Sequence, residues 1–120
     1  MGERFSIIYS EEAMTFLKSL PKKASEKIAY NISKSMIFTD SDLFKKLDGT
    51  DILEFRTQYN GIKYRLLAFW DTEEGTLVIA THGFIKKSQK TPVKEISRAE
   101  AIRKAYFTKA PAMGMKNGRR

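Results

Sequence analysis

Residues 53–70 read LEFRTQYNGIKYRLLAFW, and the fold is decided in this stretch. Leu53 and Phe55 alternate with Glu54 and Arg56, the two-residue period of a strand with one apolar and one polar face. Asn60-Gly61 follows, a dipeptide that tolerates the positive φ angles of a tight hairpin. Beyond it, residues 62–70 are apolar on both parities except at Lys63 and Arg65, as expected of a central strand covered on both faces. The DTEEG segment at 71–75 turns the chain again into a third strand over 77–82.

Toward the N-terminus the texture is helical. A short opening strand is expected at 5–9, where Phe5, Ile7 and Tyr9 alternate with Arg4, Ser6 and Ile8. Ser10 suits a helix N-cap, with Glu11 and Glu12 at the positive end of the helix dipole. Ala13, Phe16, Leu17 and Leu20 then recur at helical spacing, and Pro21 ends that helix and opens the next. Ala24, Ile28, Ile32 and Met36 step by four along a second helix, giving a helical hairpin. Residues 43–47 follow a polar TDSD stretch, and Asp48-Gly49 makes a turn.

Toward the C-terminus, HGFIKKSQKTP at 82–92 is polar, basic and without period. Thr91-Pro92 starts a last helix whose stripe is Ile96, Ala99, Ile102 or Arg103, and Tyr106. The chain from Thr108, with Pro111, Gly114 and Gly118, is expected to be a disordered basic tail. The expectation is therefore one α+β domain over 1–107 and a tail over 108–120. Its order is β-α-α-β-β-β-α, in two layers, with helices on one face of an antiparallel sheet and the opposite face open.

Composition narrows the function. A chain of 120 residues has room for one domain. It contains no cysteine, which removes disulfides and thiolate metal sites and suits a reducing cytoplasm. There is no apolar run of membrane-spanning length and no secretory-type N-terminus. Residues 1–81 hold 11 Lys and Arg against 12 Asp and Glu, whereas 82–120 hold 11 against 2. All of the net +8 thus lies in the last third, which points to an anionic partner. Phosphate-cradling glycine loops are missing, no serine sits in a nucleophile elbow, and His82 is the single histidine. The spacing of Asp40 with Asp42 and of Asp48 with Asp51 is that of turn residues, so no metal or other cofactor is expected.

What remains is a cluster of cations around a histidine: His82, Lys86, Lys87 and Lys90, with Arg56 and Arg65 on neighbouring strands. Metal-free RNA cleavage uses such groups. A base takes the ribose 2′-OH proton, cations hold the charge growing on the phosphate oxygens, and an acid protonates the leaving 5′-oxygen. Histidine titrates near neutrality, and lysine joins in where burial or nearby cations lower its pKa. Arginine binds phosphate through two parallel hydrogen bonds, and Tyr64 and Phe84 are candidates for stacking on unpaired bases. Each has a plainer role: Arg56 paired with Glu54 or Asp71, Arg65 paired with a carboxylate, the lysines in a solvated loop, His82 a half-buried spectator. The residues by themselves describe a basic α+β domain that binds nucleic acid.

Three segments carry a resemblance. DILEFR at 51–56, KYRLL at 63–67 and THGFIKKSQKTP at 81–92, followed by Glu95-Ile96 and Ala99, resemble the phage-derived HigB-like branch of the RelE/ParE toxin superfamily. Leu47 and Gly49 also fit its approach to the second strand, and the similarity spans roughly residues 5–106. Ser88 stands where that branch usually has Thr, and the position of His82 is sometimes Asn, so the histidine is not an indispensable base in every member. The resemblance implies a RelE-like fold and a type II toxin that cleaves messenger RNA in the ribosomal A site, in the cytoplasm, neutralised by a helix-turn-helix (HigA-like) antitoxin. By motif position it implies that Arg56 is the phosphate-binding arginine, that Arg65 is a second cation near the site or a structural arginine, and that His82, Lys86, Lys87 and Lys90 line the cleavage groove. Together with the stacking candidates, the expected site has Arg56, His82, Lys86 and Lys90 as catalytic residues and Arg65, Tyr64, Phe84 and Lys87 as RNA-binding ones. Two alternatives stay open: a non-catalytic member of the fold, such as a gyrase inhibitor or a phage remnant, and a plain RNA- or DNA-binding module.

Overall fold

A computed structural model describes residues 2–113. The elements are β1 (Ser6–Tyr9), α1 (Glu11–Ser19), α2 (Lys22–Ile37), β2 (Phe44–Lys46), β3 (Leu53–Tyr59), β4 (Ile62–Trp70), β5 (Leu77–Lys86) and α3 (Val93–Met113). The hairpin at Asn60-Gly61 forms as expected, with φ of 53° and 75° at its two central residues. Ser10 caps α1: its Oγ accepts the Ala13 N–H at 3.0 Å and donates to the Thr81 carbonyl at 2.6 Å, tying the helix start to β5.

The sheet order is β1-β5-β4-β3-β2, and it differs from the expected antiparallel meander in three ways. First, β1 pairs parallel to β5, from Ser6 opposite Leu77 to Tyr9 opposite Ala80. The helical hairpin carries the chain from β1 to the far edge, and the returning meander lays β5 alongside β1. Second, Phe44–Lys46 adds a short edge strand on β3, with Phe44 opposite Phe55. It is three residues long and contains Lys45 and Lys46, too little for a period to show.

Third, helices cover both faces. The α1–α2 face buries Phe5, Leu53, Phe55, Tyr64, Leu66, Ala68, Val78 and Ala80 beneath Ala13, Ala24, Ile28 and Ile32. Its aromatic centre has Phe44 stacked on Phe55 at 4.3 Å and Phe5 edge-on to Trp70 at 5.6 Å. On the opposite face α3 seats Tyr106 against Phe69, Leu77 and Ile79, and Ala99 against Ile52 and Leu67. The Tyr106 hydroxyl donates to buried Asp71 at 2.6 Å. Leu67, Phe69, Leu77 and Ile79 were visible only as part of uninterrupted apolar runs, which do not say which layer lies on which side. The α3 helix reaches Met113, beyond the boundary expected at Thr108; residues 114–120 of the expected tail lie outside the described residues. No helix among the described residues is long and apolar enough to cross a membrane.

A β-bulge sets which face the end of β5 presents. Ala68 lies opposite Ala80 but Leu67 lies opposite His82, so Thr81 is an extra residue. Val78 and Ala80 face α1 and α2, and simple alternation would send His82, Phe84 and Lys86 the same way. The bulge reverses the parity and places these three on the α3 face, with Thr81 Oγ1 donating to the Leu67 carbonyl at 3.2 Å. Gly83 then points toward α1, where the Phe16 ring lies so close that a Cβ would meet Cδ2 at 2.2 Å.

Gly83→Ala is accordingly expected to push Phe16 out of place and destabilise the domain by about 1–3 kcal/mol. Pairing it with Phe16→Ala should recover part of that loss, because the clash is between these two side chains. Chemical denaturation of the two singles and the double checks this; strictly additive losses would show that Phe16 does not oppose the substitution.

Candidate functional site

Strand register builds the site in rows. On the α3 face, Lys45, Glu54, Leu67 and His82 lie across the sheet in one row, and Arg56, Arg65 and Phe84 in the next. Gln58, Lys63 and Lys86 form a third row. Two directly opposed pairs are like-charged, Arg56 with Arg65 and Lys63 with Lys86. Such pairs repel, so a sheet that keeps two of them side by side has a reason other than its own stability. The α3 helix covers the first row and, through Ala99 and Ile96, reaches Phe84 in the second, leaving Arg56, Lys63 and Lys86 toward the open end of the sheet.

Glu54 is the counter-charge. Its carboxylate is 2% exposed, and Oε1 lies 3.4 Å from Arg56 Nε and 3.7 Å from Arg65 Nε. The second distance is an electrostatic contact and too long for a hydrogen bond. Arg65 is itself buried and donates from Nη1 to the Tyr64 carbonyl at 3.0 Å. Burial lowers the Arg65 pKa, Glu54 opposes that shift, and Arg56 adds to it. The other Glu54 oxygen accepts the Thr91 hydroxyl. Thr91 was expected to cap α3; its side chain instead ties the loop before α3 to the floor of the site.

Lys86 and Lys90 join this group. Both line a cleft of about 410 Å³ with Lys45, Glu54, Arg56 and Thr91. Partial burial pushes the Lys86 ammonium below the usual lysine range, and Arg65 adds to that shift, with Glu54 opposing it. Lys87 is exposed and lines the adjoining cleft, with Ile62, Lys63, Ile85 and Lys86. Four of the residues singled out in the sequence, Arg56, Arg65, Lys86 and Lys90, are thus brought together.

The other candidates are placed differently. His82 is 2% exposed and does not line the cleft of Lys86 and Lys90. Its Nε2 lies 3.0 Å from Glu95 Oε1, and its Nδ1 3.1 Å from Thr81 Oγ1. A carboxylate only accepts, so Nε2 carries a proton. Burial lowers the His82 pKa more than Glu95 raises it, so near neutral pH this contact is a hydrogen bond from a neutral ring to the carboxylate rather than an ion pair. His82 therefore fastens the start of α3 to β5. Tyr64 is 3% exposed within the α1–α2 core, on the face away from the cations, and is not available for stacking. Phe84 shares the cationic face beside Arg65, half-buried against the Ile52, Leu67 and Ala99 cluster.

In the sequence Glu54 reads only as an ion-pair partner and Thr91 only as a helix start, and nothing there gives Lys63 or Lys45 a role in the site. The available signal was parity: Glu54 and Arg56 share one face of β3, and a carboxylate two residues from an arginine lies within its reach. Among the described residues, no group of three or more His, Asp or Glu is arranged to hold a metal ion.

Glu54→Gln keeps the shape and removes the charge, leaving Arg65 buried opposite a neutral amide. A loss of about 3 kcal/mol is expected, the scale for breaking a buried ion pair, with the fold retained. Urea denaturation monitored by circular dichroism measures it. Unchanged stability would mean that the two arginines do not depend on this carboxylate.

The sequence matches the family model described as phage derived protein Gp49-like (DUF891) over residues 15–104. No curated protein sequence matches the chain. Among solved structures, a doubly substituted variant of the Escherichia coli toxin RelE in the free state superposes with a TM-score of 0.58 at 17% identity, covering 84% of this chain and 97% of that one. The structure of the toxin–antitoxin complex RelBE2 from Mycobacterium tuberculosis gives 0.53 at 16% identity, covering 72% and 95%. The intact Escherichia coli RelBE toxin–antitoxin complex gives 0.50 at 16% identity, covering 72% and 99%. The five-stranded sheet with its three helices is therefore the RelE toxin fold, and by its sequence the chain belongs to the phage-derived Gp49-like family.

Proposed function

We propose that this protein is the toxin of a type II toxin–antitoxin pair, an endoribonuclease that cuts messenger RNA on the ribosome without a metal ion. The observation that carries the reading is the convergence of Arg56, Arg65, Lys86 and Lys90 at the open end of a RelE-fold sheet, around one buried carboxylate. A phosphodiester is the ligand such a group suits, with a rigid strand holding the planar Arg56 and a compact point charge on each lysine.

In the proposed reaction the ribose 2′-oxygen bonds to phosphorus while the P–O5′ bond breaks. The products are a 2′,3′-cyclic phosphate and a 5′-hydroxyl. Lys86, whose lowered pKa leaves more of it neutral, takes the 2′-OH proton, and Lys90 in its ammonium form returns one to O5′. Arg56 binds the non-bridging oxygens, where charge grows in the transition state, and Arg65 adds positive potential from below. His82 acts through position alone, by fixing α3 to β5. Lys87 and Phe84 border this chemistry as RNA contacts.

The same reading gives the protein a cytoplasmic site of action and an antitoxin partner, by likeness to fold neighbours solved in toxin–antitoxin complexes. We expect the antitoxin to be of the helix-turn-helix kind, and residues 1–107 to carry the activity. The repertoire of this fold leaves gyrase inhibition as the competing outcome.

Expression without an antitoxin should arrest growth by stopping translation while DNA synthesis continues. Folded Arg56→Ala should lose about 3–4 kcal/mol of transition-state stabilisation, enough to restore growth, and Lys86→Ala/Lys90→Ala should also restore it. His82→Asn should remain toxic if folded. Labelled amino-acid and thymidine incorporation after induction decides. A block in DNA synthesis with translation intact contradicts the proposal, as does full toxicity of the folded Arg56 and Lys86/Lys90 variants.

A further inference from the structure

The cationic rows do not end at the edge of the sheet. Edge strand β2 pairs with β3 only from Leu53 to Phe55, and the Leu43 carbonyl closes the pairing by accepting the Arg56 N–H at 2.8 Å. Past that point the β3 edge is uncovered, and a cleft of about 520 Å³ wraps around it between the sheet and α2. Arg56, Lys63 and Arg65 line it from the sheet side. Lys27, Tyr30 and Lys34 line it from α2, where positions three and four apart share one face of a helix. Among the described residues, Asp42 is the one acid in its wall.

This second cleft is joined to the first. Arg56 lines both, so a phosphate chain seated on it has a cationic way out in two directions: past Lys86 and Lys90, or around the β3 edge to Lys34 and Lys27. The α2 wall is also rigid where it meets the sheet, because buried Asn31 donates from Nδ2 to Thr57 Oγ1 at 3.0 Å. Tyr30 is a large aromatic that is 60% exposed, with the Lys27 ammonium 5.5 Å from its ring centroid. An exposed aromatic between lysines, beside a phosphate-binding arginine, is the combination that holds unpaired nucleic acid: bases stack on the ring and cations follow the backbone.

We infer that the cleft between α2 and the β3 edge is a second binding segment for single-stranded RNA. Tyr30 stacks on a base flanking the phosphate held by Arg56, and Lys27 and Lys34 neutralise backbone phosphates beyond it. The inference rests on the RNA reading above and extends it to residues outside the reacting centre. It makes α2 a determinant of how much RNA is held, while the chemistry stays with the sheet.

Fluorescence anisotropy with a labelled trinucleotide and a longer single strand of about 12 nucleotides, over a series of salt concentrations, tests this. All three α2 side chains face solvent, so their variants should fold, and circular dichroism checks that. Lys27→Ala/Lys34→Ala should weaken the longer strand and make its log–log salt slope shallower by about 1.4, at about 0.7 per phosphate, with the trinucleotide unchanged. Tyr30→Ala should weaken the longer strand about tenfold, and Tyr30→Phe should not. If Arg56→Ala weakens both oligonucleotides while the α2 variants weaken neither, this segment is not an RNA site and the RNA reading stands. If the folded protein binds neither strand, or binds both independently of Arg56, the RNA reading falls and the α2 segment falls with it.

Discussion

One buried carboxylate organises this molecule. Glu54 lies buried on β3, next to the edge strand, with arginines 3.4 and 3.7 Å away and the Thr91 hydroxyl on its other oxygen. Burying a charge is expensive unless it is compensated, and two opposed arginines repel unless an anion lies between them. Each problem is the remedy for the other. Through Thr91 the same carboxylate also fixes the loop that carries Lys87 and Lys90, so the spacing of the cations depends on it directly.

The second constraint is the bulge at Thr81. Without it, alternation along β5 would bury Lys86 toward α1 and α2 and remove it from the face that carries Arg56 and Arg65. With it, Val78 and Ala80 pack on the α1–α2 core while His82, Phe84 and Lys86 turn to the opposite face. Gly83 and Phe16 complete the exchange, since the smallest residue of the strand admits the aromatic ring that would otherwise have no room. His82, Thr81 and Glu95 then close the start of α3 over the point where the parity changes.

The sequence made the helical hairpin, the Asn60-Gly61 turn and the central strands legible, because each depends on local period or local φ preference. It did not show the parallel pairing of β1 with β5, which is set by the path of the chain and not by any residue in β1. The bulge was equally hidden: nothing in the LVIATHGFIK of β5 marks Thr81 as extra, and the error passes straight to the site. His82 read as part of the cation cluster because it is near Lys86 in sequence, yet the fold gives it to Glu95 and the α1–α3 side. Tyr64 read as a stacking surface because it neighbours Arg65, yet neighbours on a strand face opposite ways, and it is core. Arg56, Arg65, Lys86 and Lys90 were found by residue type, and what brought them together was the register.

Everything proposed for these cations requires the ribose 2′-oxygen to be the nucleophile. The direct measurement is the chemistry of the ends left on messenger RNA after the purified protein acts on translating ribosomes. A 5′-hydroxyl facing a 2′,3′-cyclic phosphate or 3′-phosphate is predicted, and a single 2′-deoxy substitution on the 5′ side of the cut should abolish cleavage there. A 5′-phosphate with a free 3′-hydroxyl, or cleavage undisturbed by the 2′-deoxy substitution, would contradict it.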